Sequence, residues 1–463
     1  MVNAMVDLHV IHKSDGYIVF HPESLSLFSV SEDLGKILEF LELESPKYDL
    51  EALEMYNSDI RLGEVIRFFD KLKIKKHGRD LTWINMAPKT LCLFISQDCN
   101  LRCNYCFASH GAFGGEEKSM TINTAKACVD KLLSKNSNNF IVFFGGEPFL
   151  NFPLMKEIVE YGRQSGLNIK YTTVTNGTIM NDAIETFITD HLFHLCVSLD
   201  GPKEINDMQR YGNVGSVHDK VVSTIDKLNS KNISLSVKCT ATINNINILA
   251  YIADYIGSLG IDSVAFAPAD MIPQMNKILI SDSDYESYVQ NISGILVKNI
   301  KQLASGNSTI IVSPIFFILS QMMMKTRIIH HCSAGREYIA VTADGDVYPC
   351  HEFVGIEEFK MGNVNDDDFP GKYYDKIKSI FNTHSVYAFD ECKSCWARFL
   401  CGGDCAVRSY IYTGDLFRPT TRKCTYIKSV LEALLPEIAE IFQDDEKTRN
   451  IMKLFDESKQ INI

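Results

Sequence analysis

Cys99, Cys103 and Cys106 stand in the run Ser96-Gln-Asp-Cys-Asn-Leu-Arg-Cys-Asn-Tyr-Cys-Phe107, and no other feature constrains the chain so sharply. The C-x3-C-x2-C spacing offers three thiolates on one tight loop and withholds a fourth. A [4Fe–4S] cube held by three cysteines leaves one iron open to a small molecule, whereas an electron-carrying cluster is normally saturated by four. The pattern therefore points to a substrate or cofactor bound directly on iron. The competing reading is a zinc knuckle, which wants a fourth Cys or His close by, and His110 is the nearby candidate.

Composition sets wide bounds. At 463 residues, 46% hydrophobic and 22% charged, the chain is long enough for two or three domains around a full core. The formal charge of −12 argues against a nucleic-acid partner, and no basic tract with interleaved aromatics occurs. A peptide or small molecule fits better. Residues 1–20 carry no basic segment followed by an apolar one, so no secretory signal is expected. The longest apolar stretch, 310–324, is broken by Ser313, Pro314, Ser320 and Gln321 and falls short of the roughly 18 residues of a membrane span. It reads as a buried helix with Met322 to Met324 as core filler, and no membrane partner is expected. Fourteen cysteines without such a signal imply a reducing, cytoplasmic setting in which they ligate metal rather than pair as disulfides.

The first 85 residues have their own pattern. Short apolar runs from Leu8 to Lys13 and from Tyr17 to Phe20 flank the turn signal Ser14-Asp-Gly16, which predicts a β-hairpin. A third strand-like run over 25–30 leads to Ser31, a suitable N-cap for a helically spaced segment, and a second helix is expected over about 60–72. From 90 to 270, strand-like runs at 91–96, 140–144, 170–175, 192–199, 234–240 and 263–267 alternate with helical stretches. Six strands so spaced predict a parallel sheet with covering helices, an α/β fold. Chemistry in such folds collects at the carboxyl ends of strands, and the cysteine loop follows the first.

The cysteine spacing, with Tyr105 before the last cysteine, resembles the signature of the radical S-adenosylmethionine (SAM) superfamily. The resemblance implies a partial (β/α)6 barrel, SAM chelated to the open iron, and its reductive cleavage to a 5′-deoxyadenosyl radical. Gly145-Gly-Glu-Pro148 matches the family's GGEP segment. Its glycines permit close backbone approach to a ligand, and Glu147 can pair with the SAM ammonium. Thr175-Asn-Gly-Thr178 and Ser198-Leu-Asp-Gly201, at the ends of the third and fourth strands, resemble the family's ribose and carboxylate contacts. The SAM-contact set is thus Tyr105, Phe107, Gly145, Gly146, Glu147, Thr175, Asn176, Ser198, Asp200 and Lys238. Turn formation is the plainer reading of the Asn-Gly and Asp-Gly pairs. For Asp207 and Arg210, a solvated or capping role stands beside a SAM contact.

Seven further cysteines, Cys332, Cys350, Cys392, Cys395, Cys401, Cys405 and Cys424, run as C-x12-G-x4-C, then C-x2-C-x5-C-x3-C, then a lone cysteine. This is similar to the SPASM pattern of radical SAM enzymes that modify peptides and proteins, with structural zinc as the runner-up. The resemblance implies two auxiliary [4Fe–4S] clusters, three in all. One auxiliary cluster takes Cys392, Cys395, Cys401 and Cys424, the other Cys332, Cys350 and Cys405. The preceding residues, 325–331, hold no cysteine to close the latter, so its fourth ligand is His330 or His331, or the iron is open; we favour the open site. Cys92, Cys128, Cys196 and Cys239 lie in strand or helix patterns and read as buried structural thiols.

Sulfatase-maturing relatives carry an acid beside the second cysteine of this pattern, where this chain has His351. Cys332-Ser-Ala-Gly335, Tyr348-Pro-Cys-His351, Phe353-Val-Gly355, Met361-Gly-Asn-Val364 and Cys395-Trp-Ala-Arg398 look instead like maturases that form thioether links in ribosomal peptides, as sactipeptides or, the option we favour, ranthipeptides. The domains expected are a PqqD-like, winged-helix-like leader-recognition module at 1–85, the radical SAM barrel at 86–310, the SPASM region at 311–430 and terminal helices at 431–463. Implied partners are a leader-bearing precursor with a cysteine-rich core and an electron donor of flavodoxin or ferredoxin type. Alternatives are another SPASM modification, such as formylglycine formation or carbon–carbon cross-linking, and a metal-stabilised peptide-binding or redox-sensing protein.

Overall fold

The computed structural model describes residues 7–461 apart from 14, 15, 45–64, 66, 69, 70, 73–77, 82–86, 136, 232, 270–279 and 309. Strands β1 (His9–Lys13), β2 (Gly16–His21) and β3 (Ser26–Val30) form an antiparallel sheet in that order. Lys13 pairs with Gly16, the register of a tight hairpin; its two connecting residues lie outside the described set. Ser31 caps the helix Glu32–Glu44 as expected, its Oγ accepting from the Leu34 amide at 3.3 Å. Of the helix anticipated over 60–72, residues 65, 67, 68, 71 and 72 are helical and the others lie outside the described residues.

Period-2 alternation sends the side chains of this small sheet to opposite faces. Val10, Tyr17 and Val19 pack on Leu34, Leu38 and Leu41 with Val65, Phe68 and Leu72. Ile11, Ile18, Phe20 and Leu25 belong instead to the main core, and the helix Thr421–Gln443 packs across all three strands. Both faces are therefore buried. Strand β4 (Arg79–Leu81) leaves this module to pair in parallel with a strand much later in the chain.

The six anticipated strands are all present: β5 (Thr90–Ser96), β6 (Asn139–Gly145), β7 (Ile169–Thr175), β8 (Leu192–Ser198), β9 (Leu235–Ala241) and β10 (Ser263–Pro268). They pair in parallel in chain order and are separated by helices, the partial (β/α)6 barrel. The sheet continues at both ends. Strand β11 (Ile311–Val312) joins β10, while β12 (Thr326–Ile328) is the partner of β4. Strands β13 (Tyr338–Val341), β14 (Asp346–Tyr348) and β15 (Gly362–Asn363) extend the β5 edge, making ten strands.

Apart from β5, whose residues 91–96 are all buried, the barrel strands are buried on one face only. Tyr171, Thr173, Leu195, Val197, Leu235, Val237, Val264 and Phe266 are covered, whereas Thr172, Val174, His194, Cys196, Ser198, Ser236 and Lys238 keep partial or full exposure on the other face. Parallel strands covered on both sides would read as continuous apolar runs; here the inner face, rich in small and polar residues, lines an open lumen. Cys92, Cys128 and Cys239 are fully buried, but Cys196 corrects the structural reading: it faces that lumen half-buried, because it falls on the inward parity of β8. In the apolar stretch, the helix Ile315–Met324 buries Ile315, Ile318, Leu319 and Met322, while Met324 is 62% exposed and is not core filler. The helix expected from 431 starts at Thr421, since the Thr420 hydroxyl caps it on the Lys423 amide. Among the described residues no helix is long and apolar enough to cross a membrane.

Candidate active site and cluster sites

The cysteine loop leaves the carboxyl end of β5 and is pinned from two sides. On one side, the tip of β6 comes so close that side chains are excluded. The Gly146 amide donates to Ser96 O and the Glu147 amide to Asp98 O, both at 2.8 Å. A Cβ on Gly146 would lie 2.2 Å from Asp98 O, and one on Gly145 only 2.0 Å from Ser96 O. The two glycines thus serve backbone-to-backbone contact with the loop. On the other side, the segment after β8 reaches over: Arg102 N donates to Tyr211 O at 2.7 Å and Asn104 N to Gln209 O at 3.1 Å.

The loop's aromatic residue is anchored in a buried ionic cluster. The Tyr105 hydroxyl donates to the Asp200 carboxylate, which also receives the Arg210 fork at 2.9 and 3.2 Å and the Thr240 amide at 2.9 Å. The Arg210 guanidinium stands over the Tyr105 ring at 5.3 Å. Asp200 is wholly buried, and its acceptors are engaged by the chain itself. Arg210 is this anchor's cation rather than a solvated residue. Asp207 instead binds Ser216 Oγ at 2.6 Å and the His218 amide at 2.7 Å, joining two helices.

Glu147, Thr175 and Asn176 form one network beside Cys99. Glu147 accepts from Thr175 Oγ1 and the Asn176 amide, both at 2.7 Å, and from the Phe149 amide at 3.1 Å. The Asn176 side-chain amide donates to Asn100 Oδ1 at 2.8 Å and toward Cys99 Sγ at 3.7 Å. Burial raises the Glu147 carboxyl to about 7, against these three donors. A fully buried carboxylate with no cation among its partners in the described residues suits a ligand ammonium. Ser198 and Lys238 are register partners on the lumen face of β8 and β9, and Phe107 is 41% exposed at the loop's outer edge.

Cys99 lies in the field of Cys103 and Cys106, and burial pushes Cys99 up to about 12 and Cys103 to about 11. Such thiols ionise when a metal takes the proton's place. Backbone amides already aim at sulfur: Leu101 N at Cys99 Sγ, 3.4 Å, and His110 N at Cys106 Sγ, 3.3 Å. His110 Nδ1 is buried without a hydrogen-bond partner. Among the described residues no three Cys, His, Asp or Glu side chains converge tightly enough for a single metal ion. A four-iron cube is held at its corners, so its ligands stand around a volume instead of a point, and the thiolate chemistry of this loop fits it.

The seven later cysteines fall into two spatial sets. Cys392, Cys395, Cys401 and Cys424 interact mutually, as do Cys332, Cys350 and Cys405. Asp404 organises both, its carboxylate accepting from the Cys405 amide and from the Thr420 amide and hydroxyl, all at 2.7 Å. Gly402 lets the loop press on residues 330–332, since a Cβ there would sit 2.8 Å from His330 O. Two residues that the sequence reading passed over belong to the second set. Buried Arg336 donates to Cys332 O, and the Glu352 carboxylate lies 3.7 Å from Cys405 Sγ. Only adjacency to Cys332 and Cys350 signalled them. A cavity of 340 Å³ opens beside this set, lined by Cys405, Glu352, His331, Arg408 and residues 266–268 at the end of β10.

The radical SAM superfamily model matches residues 93–248, and the SPASM iron–sulfur cluster-binding domain matches 332–396. The cysteine-type anaerobic sulfatase-maturating enzyme of Clostridium novyi is 25% identical over 68% of this chain and 88% of its own. The radical SAM cyclopropyl synthase TigE of Paramaledivibacter caminithermalis is 23% identical over 95% and 96%. In fold, the chain is similar to anSMEcpe with bound AdoMet, with a TM-score of 0.65 at 21% identity over 79% of this chain and 98% of that one. It is also similar to Streptococcus suis SuiB bound to the precursor peptide SuiA, with a TM-score of 0.54 at 16% identity over 90% and 98%.

Proposed function

Since the chain is a radical SAM enzyme with a SPASM domain, we propose that it modifies a ribosomally made precursor peptide, joining a cysteine sulfur to a carbon of the same peptide. Cys99, Cys103 and Cys106 would hold the cluster on which SAM binds, and the radical chemistry SAM supplies when bound would take one hydrogen atom from an unactivated carbon, the thiol losing its proton and the remaining electron passing to the auxiliary clusters as the sulfur–carbon bond forms. Around that group the protein's own residues bind and orient. Glu147 offers its buried carboxylate to the SAM ammonium, and Asn176 steadies Cys99. Ser198 and Lys238 present polar groups on the lumen face. The Asp200 and Arg210 pair holds Tyr105, and with it the loop, in register with the strand ends. The anchor makes the geometry rigid before any ligand arrives.

The thioether reading is supported by one observation. Cys332, Cys350 and Cys405 gather without a fourth cysteine, and Cys405 lies on the wall of a cavity at the end of β10, where a peptide thiol can approach. The sorting of the ten cysteines supports a reading of two auxiliary clusters, three in all. The leader would add to the sheet of β1, β2 and β3, and SuiB, a relative in fold, binds its precursor peptide SuiA. Similarity to TigE along nearly the whole chain favours a second reading, carbon–carbon bond formation. Anaerobic incubation with SAM, dithionite and a leader-bearing, cysteine-rich peptide decides between them. Loss of two hydrogens together with loss of an iodoacetamide-reactive thiol supports the thioether. The same mass change with every thiol still alkylated would replace it by a carbon–carbon link.

A further inference from the structure

We propose that Glu352 is the fourth ligand of the auxiliary cluster at Cys332, Cys350 and Cys405, so that these three cysteines and one carboxylate oxygen form its complete donor set. The inference rests on the reading of two auxiliary clusters given above and goes beyond it in naming a protein oxygen where the sequence suggested a histidine or an open iron.

Three observations carry it. The Glu352 carboxylate stands on the same single-turn helix that follows Cys350, and its Oε2 is 3.7 Å from Cys405 Sγ. Cys332, Cys350 and Cys405 all feel its charge, as they feel one another, so it completes a four-membered group where the other set has four cysteines. Its two oxygens face different ways: Oε1 lies 3.8 Å from Arg408 Nη2 on the cavity side, and Oε2 faces sulfur. A carboxylate held at one oxygen by a cation keeps the other directed and available for a metal.

Each histidine already has a backbone partner. His330 is wholly buried, and its Nδ1–H donates to His384 O at 2.7 Å across the loop that packs on Gly402. His331 bonds the backbone of Cys401, a member of the other set, and lies beside Lys423. Sulfur is the softer ligand, so a single oxygen donor makes one iron the most exchangeable position of this cluster. That position borders the cavity through Cys405 and Glu352. The side chain of Glu352 is 28% exposed, enough for a ligand to reach it.

The test uses the full chain, reconstituted anaerobically in the Cys99→Ala/Cys103→Ala/Cys106→Ala background and grown with 13C-labelled glutamate. Iron content comes first: about eight irons per chain is expected for two auxiliary cubes. About four would overturn the two-cluster reading and this inference together. With about eight, electron–nuclear double resonance of the reduced protein should show a strong 13C coupling that Glu352→Gln removes. A 14N coupling in its place would assign His331, and no coupling would leave the iron open; either outcome overturns the proposal while leaving two clusters standing. Mössbauer spectra of the same triple-alanine protein need no change at Glu352. About one iron in eight should carry the raised isomer shift of an oxygen-ligated site, and its absence would count against Glu352.

Discussion

Glu147 sets the behaviour expected of the SAM pocket. Its carboxyl is held at about 7 because burial outweighs three hydrogen-bond donors. Only the ionised form pairs with an ammonium, so bound SAM favours deprotonation and affinity must fall as protons are added. Calorimetric titration of the cluster-loaded protein should show binding about tenfold weaker at pH 6 than at pH 7.5. Glu147→Gln should abolish that pH dependence and cost about 1.5–3 kcal/mol, the range for a hydrogen bond to a charged group. An unchanged slope in the variant would mean that another group reads the ammonium. Cys99→Ala should remove SAM cleavage to 5′-deoxyadenosine altogether while leaving the irons of the later cysteines in place, as measured by iron content and chromatography of the nucleoside.

Elements are joined here by buried charge and by close backbone approach. The Asp200 and Arg210 pair links the end of β8 to the cysteine loop, with both side chains almost wholly buried. Removing one partner strands the other, so Arg210→Ala should destabilise by about 3–5 kcal/mol. The loss should be read in melting temperature and in iron retained after gel filtration. Retention of full iron with a lowered melting point would make the pair a fold element without influence on the loop. The amino-terminal sheet is tied down differently. His9 stacks on Trp396 at 3.7 Å and bonds Glu42 at 2.7 Å and Glu432 at 2.6 Å. Burial opposes a charged ring, but the two glutamates outweigh it and raise the His9 pKa above its ordinary 6.5. A raised histidine contributes stability that is complete below its unfolded pKa and is lost as pH climbs through the folded one. Melting temperature should therefore drop between pH 6 and 8.5 more in the wild type than in His9→Gln. Equal drops would place the titration elsewhere.

Across the whole molecule, the first module is no detachable cap. Ile11, Ile18, Phe20 and Leu25 share the main core, and Glu23 pairs with Arg327 and Arg398, which flank the Phe399 ring at 4.4 and 4.6 Å. Deleting residues 1–85 should expose that apolar face and yield aggregated protein with little cluster, whereas a soluble, fully loaded remainder would show the barrel independent of it. Much was legible beforehand. The six parallel strands were written in apolar runs broken by helical spacing, and the resemblance singled out Glu147, Thr175 and Asn176, which the structure joins in one hydrogen-bonded network at the strand ends. The thiols were readable because metal ligation demands a residue type at a spacing, and spacing is a property of the chain alone. Tertiary structure decided what depends on residues distant in sequence. It turned Arg210 and Asp200 into an anchor for Tyr105, set Cys196 toward the lumen, spent two glycines on the loop's own backbone, sorted seven cysteines into four and three, and brought Glu352 to the three. Those contacts arise where loops from separate strands meet, and no local pattern encodes which partner waits there.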